Sequence, residues 1–298
     1  MLDHSIADST TQVYKRAWVL FQHCLVVTNQ NKISVQDLPL SFQTILVYLT
    51  YLRIKGFAPA TITTYVSAIG YIHKVNGLVD PTTQFIIQKT LSSINRLHAT
   101  TDSRLPITQF ILFRLLQSMD KIISLPYHIT LLQAMFAVAF YGLFRIGEIT
   151  KQKNGSVCIN MDQVRVYQDR IVITIKDFKH NKRNQPFEIV LHKQNSGACP
   201  YLLLLNYLAI RGSGQGPLFR FIDGKPITRN FFNSKLKMGL EFIGLDVTRY
   251  KSHSLRIGGA SYLSGIGLSD LQIKLMGRWQ SDAFLRYIRN QKFKISRV

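Results

Sequence analysis

Residues 251–292 read KSHSLRIGGASYLSGIGLSDLQIKLMGRWQSDAFLRYIRNQK. His253 and Arg256 stand three residues apart, and Tyr287 follows, flanked by Arg286 and Arg289. On a helix, positions i and i+3 share a face, so His253 and Arg256 can point into one pocket and meet one anion there. A phosphodiester is such an anion. Its displacement needs positive charge on the non-bridging oxygens, a nucleophile in line and a proton for the leaving oxygen. A tyrosine phenol, ordinarily titrating near ~10, can be that nucleophile through a covalent intermediate. The same residues also read as a solvated His/Arg pair and a tyrosine at the edge of a core, and spacing alone leaves both readings open.

Read together, HSLRIGGASYL, LMGRW and LRYIR resemble the catalytic C-terminus of the tyrosine recombinases, the integrase family of DNA strand-exchange enzymes. Within it they are most similar to recombinases of eukaryotic mobile elements of the DIRS and Crypton kind. The resemblance implies a mainly α fold with a small antiparallel β-sheet, in the two-domain tyrosine recombinase architecture. A helical core-binding (SAM-like) domain would span 1–97, a linker 98–106, and an α+β catalytic domain 107–298.

The composition fits a DNA partner. The chain has 298 residues, a formal charge of +21, 46% hydrophobic and 11% aromatic residues. That apolar content predicts folding over most of the length. The excess charge points to a polyanion, because each phosphate neutralised by Lys or Arg releases condensed counterions. No apolar run approaches the roughly 20 residues of a membrane span, and no secretory signal stands at the start. Cys24, Cys158 and Cys199 are odd in number and widely spaced, which predicts reduced, buried thiols in an intracellular protein, nuclear if the element is eukaryotic.

Helical spacing predicts four helices before residue 98. In the first, Val13, Trp18, Phe21 and Leu25 form the apolar stripe. Gly56 stops the second, and Pro59 and Gly77 bracket the third. Thr61, Thr63, Thr64, Ser67, His73 and Lys74 on that third helix are DNA-contact candidates, or else a solvated face. HATTDSRLP at 98–106 loses the helical period and reads as the linker, a hinge that would let two lobes clamp a duplex.

Beyond it, ITQFILFRLLQSMDKI and HITLLQAMFAVAFYGLFRIGEITK predict two long helices, the second buried and ending near Arg145, with Glu148 at i+3 as its plain ion-pair partner. SVCIN, VRVYQDRIVITIK and PFEIVLH predict a three-stranded antiparallel sheet, broken at Asp169 and at HNKRNQ. The loop KDFKHNKRNQ carries Lys176, Lys179, Lys182 and Arg183, read otherwise as a solvated charge run. GSGQGPLF is not a phosphate loop, since no strand precedes it and no G-K-[ST] follows. Thr228, Arg229, Lys235 and Lys237 open a basic helix suited to the DNA backbone.

The resemblance assigns roles. Tyr287 would attack the scissile phosphate to give a 3′-phosphotyrosyl link and a free 5′-hydroxyl, without metal, ATP or any other cofactor. Arg145, matched on the R-x-x-E of GLFRIGE, and Arg256 would brace the non-bridging oxygens. Lys179 would be the general acid, with Lys176 and Lys182 as alternatives, and His253 would assist proton transfer. In the family's His/Trp slot stands Arg278, directly after Gly277; Trp279 would fill it were the following loop one residue shorter. Lys182, Arg183, Arg286 and Arg289 join the DNA-contact candidates. Double-stranded DNA and a homo-tetramer are the implied partners, with Phe293 and Ile295 available to dock in a neighbouring protomer. The competing expectations are a type IB topoisomerase-like enzyme and a catalytically silent DNA-binding descendant.

Overall fold

The computed structural model describes residues 6–97, 103–151, 158–176, 178 and 185–288. It divides into two compact units, Met1–Asp102 and Ser103–Val298. The first is all helical: α1 (Asp8–Val27), α2 (Phe42–Ile54), α3 (Pro59–Val75) and α4 (Phe85–Leu97). Each boundary has a local cause. Ser41 caps α2 by accepting from the Thr44 amide at 3.2 Å, Pro59 occupies the first turn of α3, and Gly56 and Gly77 leave α2 and α3 at φ of +75° and +71°. Phe21, Tyr48, Leu49, Ile62, Ile69 and Ile87 close the core. Val13, by contrast, is exposed, and Ala17 takes the inward position at the start of the α1 stripe.

His73 also lies elsewhere than at a DNA-facing surface. It is fully buried, its Nδ1 2.8 Å from the Ile69 carbonyl and its Nε2 accepting from the Leu40 amide at 3.0 Å. This histidine therefore ties the loop before α2 to α3. Lys74 pairs with Asp80 at 2.9 Å, and Asp80 also accepts from the Thr82 amide and hydroxyl at 2.9 and 2.6 Å. Burial opposes ionisation of Asp80, but those hydrogen bonds and Lys74 outweigh it and hold the carboxyl below its usual range. A Cβ on Gly70 would sit 2.7 Å from both Asp80 oxygens. Gly70→Ala is therefore expected to destabilise the chain by ~1–3 kcal/mol, read as a lower urea midpoint.

The second unit is built around α6 (Pro126–Tyr141), whose residues from Ala134 to Tyr141 are all buried. Against it or near it pack α5 (Gln109–Ile122), α8 (Pro200–Arg211), α9 (Arg229–Phe242) and α10 (His253–Gly265). The short α7 (Ile146–Ile149) and α11 (Asp270–Met276) complete the α-helices described, and Tyr287 ends a 3-10 helix, Asp282–Tyr287. The apolar run predicted as one helix through Arg145 stops at Tyr141. Gly142 lets the Phe144 ring fold back over it, within 2.4 Å of a built Cβ, and Leu143 takes φ +48°.

The sheet has three antiparallel strands in the order β1 (Val164–Val166), β2 (Arg170–Ile175) and β3 (Phe187–His192). Ile173 faces Ile189 and Ile171 faces Leu191, which lays one apolar face on the core. SVCIN is not a strand over its described residues. There Ile159 runs between the Glu148 carbonyl and the Leu218 amide, and VRVYQDRIVITIK instead folds as a hairpin at Asp169. Of residues 98–106, assigned to a linker, 98–102 lie outside the described residues. The Leu105 amide is bonded to the Arg249 carbonyl at 2.8 Å, so that end of the segment is fastened to the second unit by its backbone.

Candidate active site

The site forms where the α6–α7 elbow, α10 and the turn after α11 converge. Arg145 is not on the buried helix but at the N-cap of α7, with extended backbone. Its amide donates to Glu148 Oε2 at 2.8 Å and its Nη1 to Oε1 at 3.1 Å, so Glu148 fixes the residue from both ends. The i+3 spacing read as a helix-face pair is in fact a capping arrangement. The Arg145 side chain keeps 24% of its surface exposed, enough to meet a ligand.

Arg256 is 1% exposed on α10. Its Nη1 donates to the Leu143 carbonyl and its Nη2 to the Gly277 carbonyl, while Nε has no partner among the described residues. Trp279 lies over the guanidinium at 4.2 Å. The same indole stacks on the Tyr287 ring at 5.4 Å with an interplanar angle of 28°, and His253 meets Tyr287 edge-on at 5.0 Å. The Tyr287 carbonyl accepts from the Ser261 hydroxyl at 2.9 Å, and Phe284 and Ile288 anchor the segment to Leu143 and Ala260 below.

Glycines make this convergence possible. A Cβ on Gly258 would lie 1.7 Å from the Ile107 carbonyl oxygen, and one on Gly259 2.2 Å from that of Phe140, so α10 approaches its neighbours backbone to backbone. A Cβ on Gly277 would strike the Trp279 ring at 1.6 Å. The glycine of LMGRW thus gives the indole the floor it needs beside Arg256.

Arg278 faces inward. It is 5% exposed, and its Nη2 donates to the Leu143 carbonyl at 2.9 Å and to Glu148 Oε2 at 3.0 Å. Burial, with Arg145 and Arg278 nearby, pushes Arg256 down to about 9, which Glu148 and Tyr287 partly offset. Burial likewise lowers Arg278 to about 10, against the pull of Glu148. Arg145 and Arg278 therefore share one buried carboxylate with a third guanidinium, Arg256, close by, and the pocket is short of negative charge.

Of the other predicted residues, Lys176 is exposed at the end of β2 and lines a cleft of about 160 Å³ with Glu148, Asn160 and Asp162. Lys179, Lys182, Arg183, Arg289, Phe293 and Ile295 lie outside the described residues. Thr61 and Thr63 are half-buried, and the exposed Thr64 and Ser67 hydroxyls donate to their own helix, at Ala60 and Thr63. Thr228 caps α9 by accepting from the Phe231 amide at 3.2 Å, with Arg229 exposed in its first turn. Lys235 lies over the Phe231 ring at 5.8 Å, Lys237 pairs with Glu241 at 3.5 Å, and Arg286 is exposed. Sequence reasoning missed the Ser261 hydroxyl, and it missed the carbonyls of Leu143 and Gly277 because backbone acceptors leave no residue signature. All three cysteines are buried and unpaired. Among the described residues no group of three or more His, Cys, Asp or Glu gathers, and no helix is long and apolar enough to cross a membrane.

No protein-family model matches the chain, and no curated protein matches it. Solved structures do. The integrase of transposon Tn1549 in complex with transposon right end DNA aligns with a TM-score of 0.67 over 98% of this chain and 92% of that one, at 12% identity. A lambda integrase dimer bound to a COC′ core site aligns at 0.64 over 99% and 93%, at 13% identity. The XerH site-specific recombinase bound to difH substrate aligns at 0.56 over 86% and 68%, at 17% identity. At such identities the likeness is one of fold, shared with these two integrases and this site-specific recombinase.

Proposed function

We propose that this chain is a site-specific DNA recombinase of a mobile element, cutting and rejoining strands through a 3′-phosphotyrosyl intermediate on Tyr287. The observation that carries this reading is the phenol of Tyr287 packed between His253 and Trp279, beside an arginine cluster with too little negative charge of its own. A scissile phosphate supplies that charge. Arg145 reaches it from the exposed side, and Arg256 offers Nε once Trp279 yields, its other nitrogens being held by backbone carbonyls. Tyr287 Oη attacks phosphorus, its proton passes towards His253, and the bond to the 5′-oxygen breaks. That oxygen takes a proton from a lysine of the β2–β3 loop, for which Lys179 is the proposed donor. The energy of the broken ester stays in the phosphotyrosyl bond, so rejoining needs no nucleotide. Assembly as a homo-tetramer on two duplexes is part of the proposal, as is the DIRS/Crypton affinity.

The test is a suicide substrate: a nicked element-end duplex incubated with the protein in EDTA, then denatured. A covalent adduct mapping to Tyr287 is expected. Binding without any adduct would leave a silent DNA-binding descendant as the better reading.

The charge excess gives a second expectation. If the protein neutralises ~6–10 phosphates, its affinity for duplex DNA falls by ~10³–10⁵ between ~50 and ~200 mM salt. A fluorescence titration with a flat salt response would contradict the electrostatic argument.

A further inference from the structure

Arg278 stands at the C-terminal end of α11 with φ +57°, its amide bonded to the Leu275 carbonyl at 2.9 Å. Helix ends in this left-handed conformation ordinarily take glycine, because a Cβ there costs about 1 kcal/mol. Glycine is available one residue earlier, at Gly277, yet is spent on seating Trp279. What the arginine does in return is visible in its contacts. One nitrogen bridges Glu148 and the Leu143 carbonyl, and the guanidinium lies 5.3 Å over the Phe144 ring and 5.8 Å from that of Phe187. It therefore touches the elbow that carries Arg145 and the β3 strand that borders the lysine loop, while its own backbone leads into Trp279. The Leu143 carbonyl it holds is also the one that receives Arg256, and the Glu148 it holds is the one that caps Arg145.

We propose that Arg278 is a positioning residue that pins Glu148 and the Leu143 carbonyl, and through them Arg145 and Arg256, without itself touching the scissile phosphate. The inference rests on the recombinase reading above and deepens it: the slot one residue after Gly277 is filled by an internal strut, and Trp279 is the neighbour that faces Tyr287.

The experiment compares single-turnover adduct formation by wild type, Arg278→Met and Arg278→Gly on two nicked duplexes, one with an ordinary scissile phosphate and one with a neutral methylphosphonate there. Met keeps an unbranched stem without the guanidinium; Gly suits the left-handed backbone and guards against reading a folding defect as a catalytic one. A misplaced site is expected to slow adduct formation by ~10²-fold with DNA affinity little changed. That deficit should shrink on the neutral substrate in step with the deficit of Arg145→Ala, since Arg278 acts through the arginines that brace the phosphate. In a Glu148→Gln background the Arg278→Met deficit should largely disappear, since the two act as a unit. An Arg278→Met deficit that persists in full in the Glu148→Gln background would make Arg278 a phosphate ligand and overturn the proposal, as would a deficit unchanged on the neutral substrate or a wild-type rate in both variants. Should wild type form no adduct on any DNA, the recombinase reading fails first. The strut is then still decided by urea unfolding: a midpoint shift in Arg278→Met/Glu148→Gln smaller than the sum of the single shifts supports it, and additive shifts refute it.

Discussion

Tyr287→Phe is expected to form no covalent DNA adduct, a loss of at least ~10⁴-fold, while its affinity for the same duplex changes by less than ~3-fold. The substitution removes one oxygen and leaves the ring. That ring is what packs on Trp279 and His253, and the backbone carbonyl held by Ser261 is untouched. Stability and the arginine cluster should therefore survive, which separates chemistry from binding. Adduct assays on denaturing gels, alongside equilibrium binding, decide the matter. A variant that loses binding too would mean that the phenol builds the DNA surface, and a persisting adduct would assign the nucleophile elsewhere.

Gly258→Ala should have the largest effect on folding, a destabilisation of about 3 kcal/mol or more. The obstacle is backbone, not a side chain that can turn aside. The added carbon would lie 1.7 Å from the Ile107 carbonyl oxygen and 3.0 Å from the Phe140 ring. Ile107 is itself bonded through its amide to the Ser254 carbonyl at 3.0 Å, so the segment cannot retreat without breaking that bond. Relief requires α10 to lift from the Ile107 segment that leads into α5, and α10 carries both His253 and Arg256. The urea midpoint should fall, and adduct formation should fall with it even where the variant remains folded. An unchanged midpoint would show that the helix approaches its neighbours less closely than described.

The helices of the first unit were legible because their signals are local. Ser41, Pro59, Gly56 and Gly77 act within a turn of where they stand, and the apolar spacing of Phe21 and Leu25 shows which side is buried. Val13 and His73 mislead for the same reason. A single position of an amphipathic stripe does not reveal how far the partner helix extends, and a histidine's spacing does not reveal that Leu40 will need its ring nitrogen. The elbow after Tyr141 escaped the periodicity because LFRI continues the apolar run. What ends the helix is the Phe144 ring folding back over Gly142, a packing event.

By itself the sequence determined the helix boundaries that caps and glycines encode, the antiparallel sheet of alternating β-branched residues, and the residue types able to handle a phosphodiester. Tertiary structure alone decided which of them meet. Arg145, Arg256 and Tyr287 lie on three separate elements, and their approach depends on the backbone contacts that Gly258 and Gly259 permit. It also gave Arg278 and Trp279, adjacent in the sequence, different neighbours, Glu148 for the one and Tyr287 for the other. A positive φ at Arg278 turns the guanidinium inward to Glu148 and sets the indole against Tyr287, and the sign of one dihedral at a helix end is fixed by packing around it, not by the order of residues through it.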